Sequence, residues 1–161
     1  MSALRQARGA QYPLTAEFTF DVSTAVADTM PTVVGNVIGG AAPAYNAAGV
    51  SIGAVGTNIF EVIGLPPNAV VVGGELVAET AVAGPTVSTV AVGDSGNATR
   101  YLAATSVLAA GRTPLVLTGY VGSGENIRIT VNNTVAVATA GKVTVRVSYI
   151  VRGRQLEVQA S

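Results

Sequence analysis

The segment KVTVRVSYIV, residues 142–151, alternates apolar and polar side chains at every second position. Val143, Val145, Val147 and Tyr149 fall on one face of an extended chain, and Lys142, Thr144, Arg146 and Ser148 fall on the other. A period of two belongs to β-strands, so this stretch requires a sheet with one buried face. The pattern recurs in residues 15–23, where Phe18, Phe20 and Val22 oppose Thr19 and Asp21, and in 58–63, 69–80, 86–92, 115–121 and 126–132. Clusters of Gly, Pro, Asn and Asp separate these runs, which is the punctuation of an all-β chain. In Gly64-Leu65-Pro66-Pro67-Asn68, two prolines remove two backbone donors and end the preceding strand.

Within AVVVGGELVAET, residues 69–80, Gly73 and Gly74 interrupt a strand-like run. They predict a bulge or bend, a device that turns a long strand from one sheet to another. Glu75 and Glu79 share a face of that strand; as a catalytic pair they would need a cleft, and a solvated or interface face suits them better. Residues 98–110, ATRYLAATSVLAA, are the one stretch with enough helix formers for a helical turn or two, closed by Gly111. The expectation there is a crossing segment with Tyr101 and Leu102 packed under the sheets and Arg100 and Arg112 outside. One or two short strands are expected in the Gly/Ala-rich insertion 29–57. The total is about eight strands, the number of a jelly-roll-like two-sheet sandwich, with a Greek-key sandwich of immunoglobulin type as the alternative. Residues 1–14 and 153–161 are polar and lack alternation, so they read as an extended N-terminal arm and a C-terminal tail around one domain, 15–152.

Two motifs imitate catalytic serines. Gly93-Asp94-Ser95-Gly96 matches the nucleophile stretch of chymotrypsin-like proteases, and Gly49-Val50-Ser51-Ile52-Gly53 matches a nucleophile elbow. A serine hydroxyl needs a base, and the chain contains no histidine; its single lysine, Lys142, reads as an outward strand residue. Gly93, Asp94, Ser95 and Asn97 are instead the composition of a tight turn, in which Asp94 bonds to the backbone two residues on. No cysteine is present either, which removes thiolate chemistry, and Asp94 with Asn97 falls short of the oxygens that calcium requires. The expectation is therefore no enzyme, no cofactor and no metal.

Charged residues are 11% of the chain, nine basic and nine acidic, against roughly 25% in soluble domains. A surface so poor in charge favours association, and sheet edges without charged guards meet neighbours. Nucleic acid is not expected as a partner, because phosphate binding needs a basic excess. A membrane is not expected either. Arg5 and Arg8 are followed by no apolar run of a signal peptide, and the long uncharged stretch before Glu61 is broken by Pro31, Asn36, Pro43, Asn46 and Asn58. The sequons Asn97-Ala98-Thr99 and Asn132-Asn133-Thr134 are chance matches on this reading.

Over residues 58–152 the chain resembles a known family. FEVIGLPPNAVVVGGELVAET, VSTVAVGDSGNATRYLAATSVLAAGR and VTVRVSYIVRGR, in that order, resemble the capsid decoration, or cement, proteins of tailed bacteriophages, which are of the jelly-roll type. The carrying elements are Leu65-Pro66 before the Gly-Gly strand, Val92-Gly93-Asp94 followed by Arg100, Tyr101 and Leu102, then Ala109-Ala110-Gly111, and the valine-rich strand ending in Tyr149. Residues 24–57 and the arm have no counterpart in it. The resemblance implies a non-enzymatic homo-oligomer, dimer or trimer, on the outer capsid surface of the virion, with the major capsid protein and itself as partners. The arm (Leu4, Arg5, Arg8, Tyr12, Pro13) is the expected capsid-gripping element, since an extended segment adds to a neighbour's sheet edge and arginine pairs with acidic residues. Arg100, Arg112, Arg152 and Arg154 are further candidate interface residues. The alternatives are a tail, fibre-attachment or head-fibre protein, and a carbohydrate-binding jelly roll; the last lacks the aromatic platforms that sugars stack on, with no tryptophan in the chain.

Overall fold

A computed structural model describes residues 12–21 and 55–153 of the chain. It is all-β, with strands β1 (Leu14–Asp21), β2 (Gly56–Ile63), β3 (Ala69–Ala83), β4 (Val87–Gly93), β5 (Leu102–Ser106), β6 (Gly111–Pro114), β7 (Ile127–Thr134) and β8 (Ala140–Val151). Two four-stranded antiparallel sheets form a sandwich, in the orders β1-β8-β3-β6 and β2-β7-β4-β5. The first strand pairs with the eighth, the second with the seventh, the third with the sixth and the fourth with the fifth. Those are the pairs of one long hairpin; rolling it over adds β3 to β8 and β4 to β7 and splits the ribbon into two sheets. This connectivity is that of a jelly roll. It differs from the seven- or nine-strand order of an immunoglobulin sandwich.

The core lies between the sheets. Leu76, Val143, Val145 and Val147 face it from the first sheet, and Phe60, Val90, Val92, Ile127, Ile129 and Val131 from the second, all essentially inaccessible to water. Leu65, Tyr101, Val107 and Leu115 close its ends from loops. The alternation in residues 142–151 is therefore realised side by side with that of β1, whose Phe18 and Phe20 rings lie 6.1 Å apart. Thr144 departs from it: it points to the outer face yet is buried, because its hydroxyl is held between Thr19 Oγ1 at 2.8 Å and Glu79 Oε1 at 2.7 Å.

Three expectations are corrected. Residues 98–110 form no helix; a turn at 98–99 leads into β5, which pairs with β4 and buries Leu102 at its start. A helix of that length is not stable alone, and the waiting edge of β4 outweighs the intrinsic preference of its alanines. The strand expected over 115–121 lies earlier, as β6, because Leu115 turns inward beneath Gly74 and Pro114 ends the pairing. Only Val121 retains a bridge, to Val70. Finally, β3 does bulge between Val71 and Gly73, but it stays against β8 along its whole length and does not change sheets. The described residues hold eight strands, with β5 added to those expected; the insertion, with the one or two strands expected there, lies outside the described residues except for 55–57.

Gly74 has a structural reason to be glycine. Its φ is +148°, and a Cβ there would collide with the Arg146 carbonyl oxygen and lie 2.7 Å from Leu115 Cδ1. The crossing from the first sheet to the end of the sandwich depends on that gap, since Leu115 N donates to Gly74 O at 3.0 Å. Gly74→Ala is expected to cost about 2–4 kcal/mol, read as a melting temperature lowered by several degrees, whereas Gly111→Ala, with nothing within 4 Å, should change it little.

Candidate interaction surfaces

Gly93 ends β4 where the Asn97–Ala98 backbone passes so close that a side chain would collide with it. Asp94 then closes the turn. Its Oδ1 accepts the N–H groups of Gly96 and Asn97, each at 2.9 Å, and its own N–H donates to Asn97 O at 2.9 Å. Asn97 Oδ1 in turn accepts from Thr99 N at 3.0 Å. Ser95 stands exposed at the tip. The serine that imitates a nucleophile is thus a loop residue, and the aspartate beside it is the buried member of the motif.

Arg100 reaches back over this turn. Its Nε pairs with Asp94 Oδ2 and its second nitrogen with Asp94 Oδ1 at 3.2 Å, while the guanidinium lies 3.5 Å above the Tyr120 ring. Tyr120 donates to Glu125 Oε1 at 3.0 Å, and Glu125 Oε2 accepts from Ser123 N. One chain of contacts therefore ties the 93–101 turn to the 115–126 crossing. The bond to Asp94 raises the Arg100 pKa, and backbone donors, including Ser123 N–H, lower that of Glu125. Beneath them Tyr101 is buried, and loss of water pushes its phenol up to about 12. Both oxygens of Asp94 are engaged by these donors, so the loop is built as a brace.

The outer face of the first sheet carries a row of alternating charge. Glu17 on β1, Arg146 on β8, Glu75 on β3 and Arg112 on β6 follow one another across all four strands, joined at 2.7, 2.8 and 2.5 Å. Lys142 and Glu79 add a second pair at 2.6 Å. The Arg112 hydrogen bond holds the Glu75 carboxyl below its ordinary range, and those from Lys142 and Thr144 do the same for Glu79. Glu75 and Glu79 do share a face, where their partners are cations of neighbouring strands. The second sheet differs. Its outward rows read Thr57-Asn132-Thr89-Ser106 and Ile59-Thr130-Ala91, with one ion pair, Glu61 to Arg128.

Among the described residues the large exposed apolar side chains avoid both sheet faces and gather at strand ends and loops. Val55, Val87, Leu108, Val135 and Val137 occupy one end of the sandwich, and Tyr12, Leu14, Val116 and Leu117 the other. Val135 is 82% exposed and sits at φ +73°, a left-handed conformation that a β-branched side chain disfavours. No sequence signal pointed to this end.

Of the expected contact residues, Leu4, Arg5, Arg8 and Arg154 lie outside the described residues. Tyr12 and Pro13 are exposed at the entry to β1. Arg100 and Arg112 have their guanidinium groups engaged within the chain, and Arg152 does not.

No protein-family model matches the chain, and no curated protein sequence matches it. Among solved structures, 94% of the chain superposes on 99% of a chain in the structure titled Cyanophage Pam1 capsid asymmetric unit, with a TM-score of 0.57 and 21% identity. The two chains share a fold. Looser likenesses are to chains in the acidic stable capsid structure of Helicobacter pylori bacteriophage KHP30 (TM-score 0.44, 16% identity, 86% and 92% of the two chains) and in the capsid of Ralstonia phage GP4 (0.45, 20%, 90% and 94%).

Removing the buried carboxylate should be costly. Asp94→Ala strands the guanidinium of Arg100 and two backbone donors, an expected loss of about 3 kcal/mol in urea unfolding, while Ser95→Ala changes stability by less than about 0.5 kcal/mol. The lowered carboxylates also set a pH dependence. Folding that depresses a carboxyl pKa is favoured above the unfolded value, 4.5 for glutamate, and loses that favour as pH falls through the folded values. The urea midpoint should therefore be flat down to about pH 5 and fall below it, with a shallower fall in Glu75→Gln.

Proposed function

We propose that this protein is a structural component of a tailed-phage virion, decorating the outer capsid surface as a homo-oligomer and cementing neighbouring shell subunits. The observation that carries the reading is the fold shared, nearly end to end in both chains, with a chain of a phage capsid. The ordered motifs of residues 58–152 support it from the sequence side, and so does a surface whose charges are mostly neutralised within the chain.

On this reading the role is mechanical and non-enzymatic. Each copy contributes modest contacts, and repetition over a symmetric shell turns them into resistance to internal pressure, because a copy bound at several points leaves slowly. The apolar end around Val135 is the surface for self-association, since exposed apolar clusters mark protein contacts. The arm, with Leu4, Arg5, Arg8, Tyr12 and Pro13, grips the shell by adding to a sheet edge.

Quantitative mass spectrometry of gradient-purified particles tests this. Cementing predicts a copy number of the same order as that of the major capsid protein, and particles that lose internal pressure resistance when the protein is stripped away. A handful of copies per particle would move the protein to the tail, a vertex or a fibre, and absence from the particle would sink the virion reading.

A further inference from the structure

The sandwich has four edge strands, β1 and β6 in the first sheet and β2 and β5 in the second. An edge strand offers unpaired N–H and C=O groups to another chain unless it is short, bulged, charged with lysine or interrupted by proline. Three of the four are blunted in this way. β6 has four residues and ends in Pro114, β5 has five, and β2 breaks register between Glu61 and Ile63. β1 is not blunted. Its eight residues run in unbroken register with β8 and include neither proline nor lysine, and among the described residues no strand pairs with its other edge.

The core is open on the same side. β1 and β2 are the edge strands that face each other across the sandwich there. Of the apolar residues that pack on the core while only partly buried, Ala16 and Phe18 belong to β1, Val62 belongs to β2, and Tyr149 is the partner of Leu14. On the opposite side Leu102, Val107 and Leu115, in and beside β5 and β6, are buried. The unguarded edge and the half-covered apolar residues therefore coincide.

We propose that β1 is a contact between two copies of this chain, in which the two β1 strands pair antiparallel about a two-fold axis and join the first sheets into one. Charge selects the register. Residues opposite each other in a sheet share a face, so a strand meeting its own copy has one residue on the axis. With Glu17 on the axis, Glu17 faces its own copy, and with Thr19 there Glu17 faces Asp21; both set like charges opposite each other. With Ala16 there, only residues 14–18 of β1 pair. With Phe18 on the axis, residues 15–21 of both strands pair, Glu17 faces Thr19, Asp21 faces Thr15, Ala16 faces Phe20, and the two Phe18 rings meet beside the Phe20 rings. β1 is thus complementary to itself, which is what an isologous contact requires, and this fit commits the edge to a second copy. The contact is separate from the apolar end and needs no shell.

The test uses the full chain, which has no cysteine of its own. Opposite residues of an antiparallel pair have Cα atoms about 4.5–5.5 Å apart, within disulfide reach. Under oxidation, Glu17→Cys mixed with Thr19→Cys should give linked pairs at least about fivefold faster than either variant alone, with Arg112→Cys on the far edge strand giving none. Val135→Asp, which charges the apolar end, should leave that rate unchanged. In the Val135→Asp background, Thr19→Glu sets carboxylates opposite each other twice and should raise the dimer dissociation constant in sedimentation equilibrium about fivefold or more, while Thr19→Gln stays within about twofold of the parent. Equal linking of mixed and single variants, a Val135→Asp chain that stays monomeric, or Thr19→Glu dimerising as tightly as Thr19→Gln would overturn the β1 contact and leave the decorating role standing. A copy number that removes the decorating role would leave these solution results as they are.

Discussion

β8 is the strand on which the first sheet is hung. It pairs with β1 on one side and β3 on the other, and the three valines of its inner face are sealed between the sheets. Pairing on both edges leaves β8 without a free edge, and its register sets every other placement in that sheet. The outer face inherits the same register: Arg146 stands level with Glu17 on one neighbour and Glu75 on the other, so the charged row exists because the valines are buried. Sliding β8 by one residue would invert both faces at once.

That coupling explains how so few charges suffice. Five of the six described cations sit in ion pairs, four of them linking strands within a sheet and one bracing a loop. Exposed pairs of this kind contribute little to stability one by one. Their larger effect is on what the surface offers: the charges of the sheet faces are paired, and among the described residues the large exposed apolar groups lie at the two ends of the sandwich.

Most of the fold was legible in the sequence where side-chain alternation was undisturbed. β1, β2, β3, β4, β7 and β8 each carry an inward apolar face that a period of two exposes to reading. β5 and β6 do not. Within β5 only Leu102 is buried, with Tyr101 and Val107 flanking it, and Gly-Arg-Thr-Pro has no buried residue at all, because an edge strand covers little core. The turn at 93–97 was legible through Asp94 and its glycines, since the bond from an aspartate to the backbone two residues on is local. Its brace was not: Arg100 finds Tyr120 only after the 115–126 crossing has folded over the end of the sandwich, and nothing local joins residues so far apart. The apolar end was hidden for the same reason, as it is assembled from segments that the roll alone brings together.

The pairing of Leu14 with Tyr149 also sets an order of events. The partner of β1 is made 135 residues later. At a synthesis rate of about 5–20 residues per second, β1 waits roughly seven to twenty-seven seconds before its hydrogen bonds have anywhere to go. During that interval Phe18 and Phe20 have no sheet to enter, and β3 likewise lacks the neighbour against which it bulges between Val71 and Gly73. Such long-range closure is slow by nature. The first sheet is therefore completed only once β8 has been made, and a chain truncated before β8 would lack the strand against which both β1 and β3 pair.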